Sequence, residues 1–276
     1  MTDAGAIVVL LDTSPASEAA LAAAARIARH RGLELVGLFI EEQDLIRSAA
    51  YPFAREVSFL SGTSRPLDSE MLRGRLDRQR RRIEQRLAEE AARQAISWRL
   101  QVETGSVSDV LAASGLEVEL LLLGKAGWSH GRGGRVGSTA LGLIAGSAAT
   151  LVLWEGTPRP GNGAVVALIT DAASAPTILA VAETLADAAD RALHLLFAPD
   201  LDPAVERSTL DARRQAQTAT TVEPLDSNRP SALARALGRH PGAELVIGRS
   251  AARALNCPMA DLLTLSEGPV VVVPTE

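Results

Sequence analysis

AIVVLLDTSPASEAALAAAARIARHRGLELVGLFI, residues 6–40, decides the architecture. Its first six residues are a continuous apolar run rich in β-branched side chains and closed by Asp12, the pattern of a strand buried on both faces. Ser14 then supplies an N-cap, Pro15 the first helical position and Gly32 a helix stop, so the alanine-rich stretch between them is a helix. LELVGLFI, residues 33–40, is a second strand. A strand, a helix and a strand with short joints form a βαβ unit, which requires a parallel sheet.

The same alternation continues outward. Residues 67–95 place Met71, Leu72, Leu76, Ile83, Leu87 and Ala91 on one helical face. The opposite face is arginine-rich but interleaved with Asp77, Glu84, Glu89 and Glu90, which reads as a solvated surface. ISWRLQVETG (96–105) is a third strand, followed by a short helix over 108–113 and a fourth strand, VELLLLG (118–124). A helix from Ser138 and a fifth strand, TLVLW (150–154), complete the set. EGTPRPGNG (155–163) has the turn residues of a linker. The order then restarts: AVVALITD (164–171), SAPTILAVAETLADAAD (174–190), ALHLLFAPD (192–200), SALARALGRHPGAELVIGRS (231–250) and PVVVVPTE (269–276). The fold class is therefore α/β, with two tandem Rossmann-like domains, 1–157 and 163–276, each a five-stranded mostly parallel sheet flanked by helices.

Composition narrows the function. Of 276 residues, 47% are hydrophobic and 22% charged, enough to bury a core. With 3% aromatic residues and a net charge of -5, nucleic acid is not an expected partner. One cysteine, Cys257, excludes an internal disulfide and a cysteine-rich zinc cluster; flanked by Asn256 and Pro258, it reads as a buried thiol. His30, His130, His194 and His240 lack ligand spacing, so no metal site is expected. No apolar run approaches the roughly 18–20 residues of a membrane span. MTDAGAIVVLLD at the start has an acidic residue where a signal peptide carries positive charge, so a cytoplasmic location without membrane insertion is expected. Tyr51, Phe53 and Phe59 cluster in an aromatic-poor chain and are expected to pack against the sheet edge.

The loop after the fourth strand carries the chemistry. GKAGWSHGRGGRVGST (124–139) gives Gly124, two residues, Gly127, nine residues, Gly137 and Ser138. Glycines let main-chain amides approach a phosphate, and Gly137, Ser138 and Thr139 open a helix whose positive end favours an anion. Lys125, the chain's sole lysine, with Arg132 and Arg135 adds positive charge. Ligands of open parallel sheets bind beyond the carboxyl ends of the strands, where Asp12 also lies. The set suits a di- or triphosphate. The Walker pattern G-x4-G-K-[S/T] is absent.

The first half resembles a universal stress protein domain of the nucleotide-binding kind. The resemblance rests on LLDTSPASEAAL (10–21) and on the full G-x2-G-x9-G-[S/T] signature, and covers most of residues 5–155. It implies ATP or another adenine nucleotide, with Mg as counter-ion. Asp12 and Ile40 would hold adenine and ribose, and Gly127, Gly137, Ser138 and Thr139 the phosphates. Arg135 stands where the family commonly has an apolar residue, and residues 41–95 are long for it. In the second half Asp171 matches Asp12, but Ala251 and Asp261 replace the loop glycines, so that half is expected to bind no triphosphate. The resemblance implies a stress-response sensor or regulator, not a dedicated catalyst, with an unidentified protein partner. Its alternatives are a nucleotide-independent adaptor of a partner such as a transporter, and a slow ATPase, for which Asp12 and Ser138 are the sole magnesium ligands in view. The two last strands, 150–154 and 270–273, are expected to pair within the chain; a homodimer is left open.

Overall fold

The computed structural model describes residues 5–41, 47–49, 51, 53–58, 61–113, 118–125, 136–154, 163–213 and 220–274. The opening unit forms as read: β1 (Ala6–Leu10), α1 (Pro15–Arg31) and β2 (Glu34–Glu41). The Ser14 hydroxyl accepts from the Ser17 amide at 3.2 Å and Pro15 sits in the first turn. Fully buried small residues such as Ala20, Ala24 and Ala28 let α1 lie close against the sheet. A small antiparallel hairpin, β3 (Arg55–Val57) and β4 (Ser64–Pro66), precedes the long α2 (Ser69–Gln94). The first half ends with β5 (Trp98–Thr104), α3 (Val107–Ala113), β6 (Val118–Gly124), α4 (Ser138–Gly146) and β7 (Thr150–Trp154).

The second half repeats the order: β8 (Val165–Ile169), α5 (Ala175–Ala188), β9 (Leu193–Phe197), α6 (Pro203–Arg213) and β10 (Thr220–Pro224). Then come α7 (Pro230–Gly238), β11 (Glu244–Gly248), α8 (Ala251–Ala254), α9 (Met259–Thr264) and β12 (Val270–Val273).

The two five-stranded sheets join into one through the expected pairing of their last strands. Ten strands run β10-β9-β8-β11-β12-β7-β6-β1-β2-β5, and every pairing is parallel except the central one. There β12 runs antiparallel to β7, with Val270 opposite Leu153, Val271 opposite Val152 and Val272 opposite Leu151. Two apolar strands that would each be an exposed edge satisfy one another's backbone groups. Helices cover both faces. α1, α2, α5 and α6 build one core layer, and α3, α4, α7, α8 and α9 the other; both layers run through the two halves without a break.

One glycine positions the longest helix. A Cβ on Gly37 of β2 would lie 2.6 Å from Leu87 Cδ2, so its absence seats the fully buried Leu87 of α2 on the sheet. The aromatic expectation is corrected. Tyr51 and Phe53 stack on each other, ring centroids 5.4 Å apart, and are 56% and 78% exposed. The hairpin β3–β4, not the sheet edge, is their neighbour in sequence, and it forms a separate small sheet that offers no buried face. Phe59 lies outside the described residues.

Candidate functional site

Parallel strands deliver all their carboxyl ends to one edge, and there the first half opens a cleft of about 1120 Å³. Its floor is the end of β1 and the following turn (Leu10, Leu11, Asp12, Thr13), with Phe39 and Ile40 of β2 and Leu123 and Gly124 of β6. One wall is the start of α4, Gly137, Ser138 and Thr139; the turn from β5 into α3, residues 105–108, closes another side. Across the sheet edge from α4 stands α2 with Arg75, Arg78, Gln79 and Arg82.

Local chemistry fixes each part. The Asp12 carboxylate accepts from the Ser14 amide at 2.9 Å, which holds it at the cleft floor. Gln79 Nε2 donates to the Asp12 carbonyl at 3.0 Å and to Thr13 Oγ1 at 3.4 Å, tying α2 to the turn after β1. The Gly137 amide donates to the Lys125 carbonyl at 2.9 Å. Among the described residues, no side chain caps α4. Its first-turn amides and the positive end of its dipole are therefore available to an anion. Apolar Leu10, Leu11, Phe39 and Leu123 line the cleft beside these polar groups.

Of the residues singled out in sequence, Asp12, Ile40, Gly124, Gly137, Ser138 and Thr139 come together around this cleft. Lys125 does not, which corrects its reading as a phosphate ligand. Its amide is fixed to the Trp154 carbonyl at 2.6 Å, and its side chain is buried across the β7–β12 seam, where Nζ donates to the Ser266 carbonyl at 3.2 Å. Gly127, Arg132 and Arg135 lie outside the described residues.

The arginines of α2 are what the sequence reading missed. Arg75, Arg78, Gln79 and Arg82 follow the i, i+3, i+4, i+7 spacing of one helical stripe, rotated from the Leu72, Ile83 and Leu87 stripe that faces the core. They are a cleft wall and not simply a solvated face. Glu56 of β3 accepts from Arg75 at 2.6 Å and from Arg65 at 2.9 Å. Those bonds hold the Glu56 carboxyl down at about 2, and push the Arg75 guanidinium up. The charge of Arg75 is thus answered, whereas Arg78 and Arg82 have no acidic partner among the described residues.

At the corresponding place in the second half the carboxylate is tied into a hydrogen-bonded cluster. Asp171 Oδ2 accepts from Ser174 Oγ at 2.7 Å, Thr170 Oγ1 at 3.0 Å and the Ser250 hydroxyl, while Oδ1 takes the Ser174 amide at 2.9 Å. Burial works to raise this carboxyl, but the bonds from Ser250, Ser174 and Thr170 outweigh it and leave it below its ordinary value. A Cβ on Gly248 would sit 2.9 Å from Ser174 Oγ, so the two loops are in contact. α8 starts at Ala251, three residues after Gly248. The second half thus has a fixed carboxylate and a short connection after its fourth strand.

Among the described residues, no group of three or more His, Cys, Asp or Glu side chains could hold a metal ion. Among the same residues, no helix is long and apolar enough to cross a membrane. Cys257 is half-buried, and burial together with Asp261 pushes its thiol up, away from a reactive thiolate.

Comparison with known proteins agrees with this fold. The sequence model of the Universal stress protein family matches residues 5–153. A universal stress protein from Archaeoglobus fulgidus DSM 4304 superposes with a TM-score of 0.65 at 13% identity, over 98% of this chain and 96% of that one. A functionally unknown protein from Pseudomonas aeruginosa PAO1 does so with a TM-score of 0.57 at 16% identity, over 98% and 92%. The cytoplasmic domain of a prokaryotic cation chloride cotransporter gives 0.52 at 10% identity, over 98% and 95%. At these identities the likeness is one of fold, and it extends across both halves. No curated protein matches the chain by sequence. The match over residues 5–153, which include the strands and the helix start that line the cleft, places the chain in the universal stress protein family.

Proposed function

We propose that the first-half cleft binds an adenine nucleotide, ATP foremost, and that the chain is a cytoplasmic nucleotide-responsive regulator. The observation that carries this reading is the uncapped start of α4 beside Asp12 and an apolar floor. An anion at that helix end is favoured, an adenine ring suits the floor, and Asp12 can accept hydrogen bonds from sugar hydroxyls. Ser138 and Thr139 would add hydroxyl donors to the phosphates. Mg would enter with the phosphates, held on the protein side by Asp12 and Ser138. Among the described residues lining the cleft, none is arranged as a general base for hydrolysis, in keeping with a sensor.

Gly137→Asp tests the reading with two opposed outcomes. The new carboxylate would cap α4 itself, supporting the helix by about 0.5–1 kcal/mol, while occupying and repelling the phosphate position. Titration calorimetry should show ATP affinity falling at least about tenfold, with the melting temperature held or raised. Unchanged ATP affinity would sink the proposal.

The second reading, a nucleotide-independent adaptor, is favoured by the exposed Tyr51, Phe53, Val57 and Met71 and by the fold shared with a transporter's cytoplasmic domain. It predicts no thermal shift with ATP, whereas a binder at 100 times its Kd gains about 2.7 kcal/mol.

A further inference from the structure

The cleft has two positive poles, and they lie on opposite sides of Asp12. The first is the α4 start, on the face of the sheet covered by α3 and α4. The second is the pair Arg78 and Arg82, on the helix that covers the other face. Between them lies the β1 end, with Asp12 held by Ser14 and with its carbonyl tied to Gln79. Gln79 matters here because it fixes the α2 register, so the arginines three residues to its C-terminal side and one to its N-terminal side meet the cleft together.

Among the described residues, the charge of Arg78 and Arg82 has no acidic partner. Glu56 answers Arg75 and Arg65, and Glu18 pairs with Arg86 one turn farther along α2. Asp12 is the one carboxylate among the described residues lining the cleft, and it sits at the floor between the poles. A ligand phosphorylated at one end alone satisfies α4 and leaves two guanidinium groups facing the opening. Guanidinium pairs are suited to phosphate because their planar donors match its oxygens two at a time.

We infer that, among adenine nucleotides with two phosphates, the cleft prefers one carrying a phosphate on the ribose 2′ or 3′ oxygen in addition to its 5′ phosphate, with Arg78 and Arg82 as the residues that select it. This rests on the nucleotide reading above, which puts the sugar at Asp12 and the 5′ phosphates at α4; a substituent on the other side of the sugar then meets α2. Adenosine 3′,5′-bisphosphate and adenosine 2′,5′-bisphosphate are the probes. ADP is the control, because it has the same number of phosphates in one chain.

Titration calorimetry on the full chain should show the better bisphosphate binding at least about tenfold tighter than ADP. In the double variant Arg78→Gln, Arg82→Gln that ligand should fall to within about threefold of AMP, while ADP and ATP change by less than about threefold. Both side chains are exposed on α2, so the variant should melt as the parent does. Bisphosphates no tighter than ADP overturn this inference and leave ATP binding standing. An equal loss for all nucleotides in the double variant also overturns it, since that is general charge attraction. Failure of the parent protein to bind any of these compounds overturns the nucleotide reading along with it.

Discussion

Arg191 and Glu244 show how strongly one pair can be committed at the end of the sheet remote from the cleft. Glu244 begins β11 and is 4% exposed; Arg191 pairs with it and also donates to the Gly163 and Leu185 carbonyls at 3.4 Å. Removing one partner strands the other charge in a site that water does not reach. Arg191→Met should therefore cost about 3–5 kcal/mol in urea unfolding. A loss under about 1 kcal/mol would show that Glu244 finds another partner. His194 gives a second prediction at this scale. Burial, then the facing His240 ring 3.9 Å away, lowers its pKa, and Glu223 opposes them more weakly. Thr221 shares a hydrogen bond with its Nδ1, and Glu223 is itself paired with Arg239. A histidine depressed in the folded state binds its proton more readily when unfolded. Stability should thus be full above the ordinary histidine value and decline as pH falls through about 6.5 toward the folded value. His194→Gln should flatten that decline between about pH 7 and 5, measured by denaturant midpoints.

Among the elements, α2 links packing to the cleft. Its core stripe, Leu72, Ile83 and Leu87, docks on the sheet where Gly37 leaves room, and the adjacent stripe becomes the cleft wall. Leu87→Ala removes a fully buried side chain and should destabilise by about 2–5 kcal/mol. Because the helix also carries Gln79, ATP affinity should fall in the same variant even where the protein remains folded; equal affinity would mean that the cleft does not depend on how α2 is seated. The hairpin is held differently. Glu56 joins it to α2 through Arg75, and the bond survives mild acid because the carboxyl titrates near 2. Second-half strand β10 shows why some elements escape a sequence reading. TTVEP at an exposed edge has one large apolar residue, Val222, itself 43% exposed. It pairs through its backbone with β9, an interaction that leaves no apolar alternation to read.

At the scale of the molecule, the β7–β12 seam makes one body of two repeats. Both core layers cross it, the Lys125 side chain reaches the Ser266 carbonyl, and Arg249 reaches the Ser147 carbonyl from the opposite side. Lys125 and Arg249 each follow the last residue of a fourth strand, Gly124 and Gly248, so the two contacts are related by the repeat. Each cation meets the carbonyl-rich end of a helix segment in the other half, a favourable end for positive charge. Calorimetry should therefore give one unfolding transition with an enthalpy of about 190 kcal/mol. Two transitions separated by several degrees would show that the halves melt independently.

The order of strands and helices, the α1 caps, the strand ends carrying Asp12 and Ile40, and the Gly137-Ser138-Thr139 helix start were all determined by local sequence, because burial, capping and turn chemistry act over a few residues. The pairing of the two last strands was also read from the sequence; only the tertiary structure decided that it would run antiparallel, that Lys125 would turn to the seam and that α2 would bring Arg78 and Arg82 to the cleft. Those outcomes depend on which surfaces meet. A charged side chain has the same local signature whether it ends in solvent, in an interface or over a ligand, and the difference lies in what the rest of the chain places beside it.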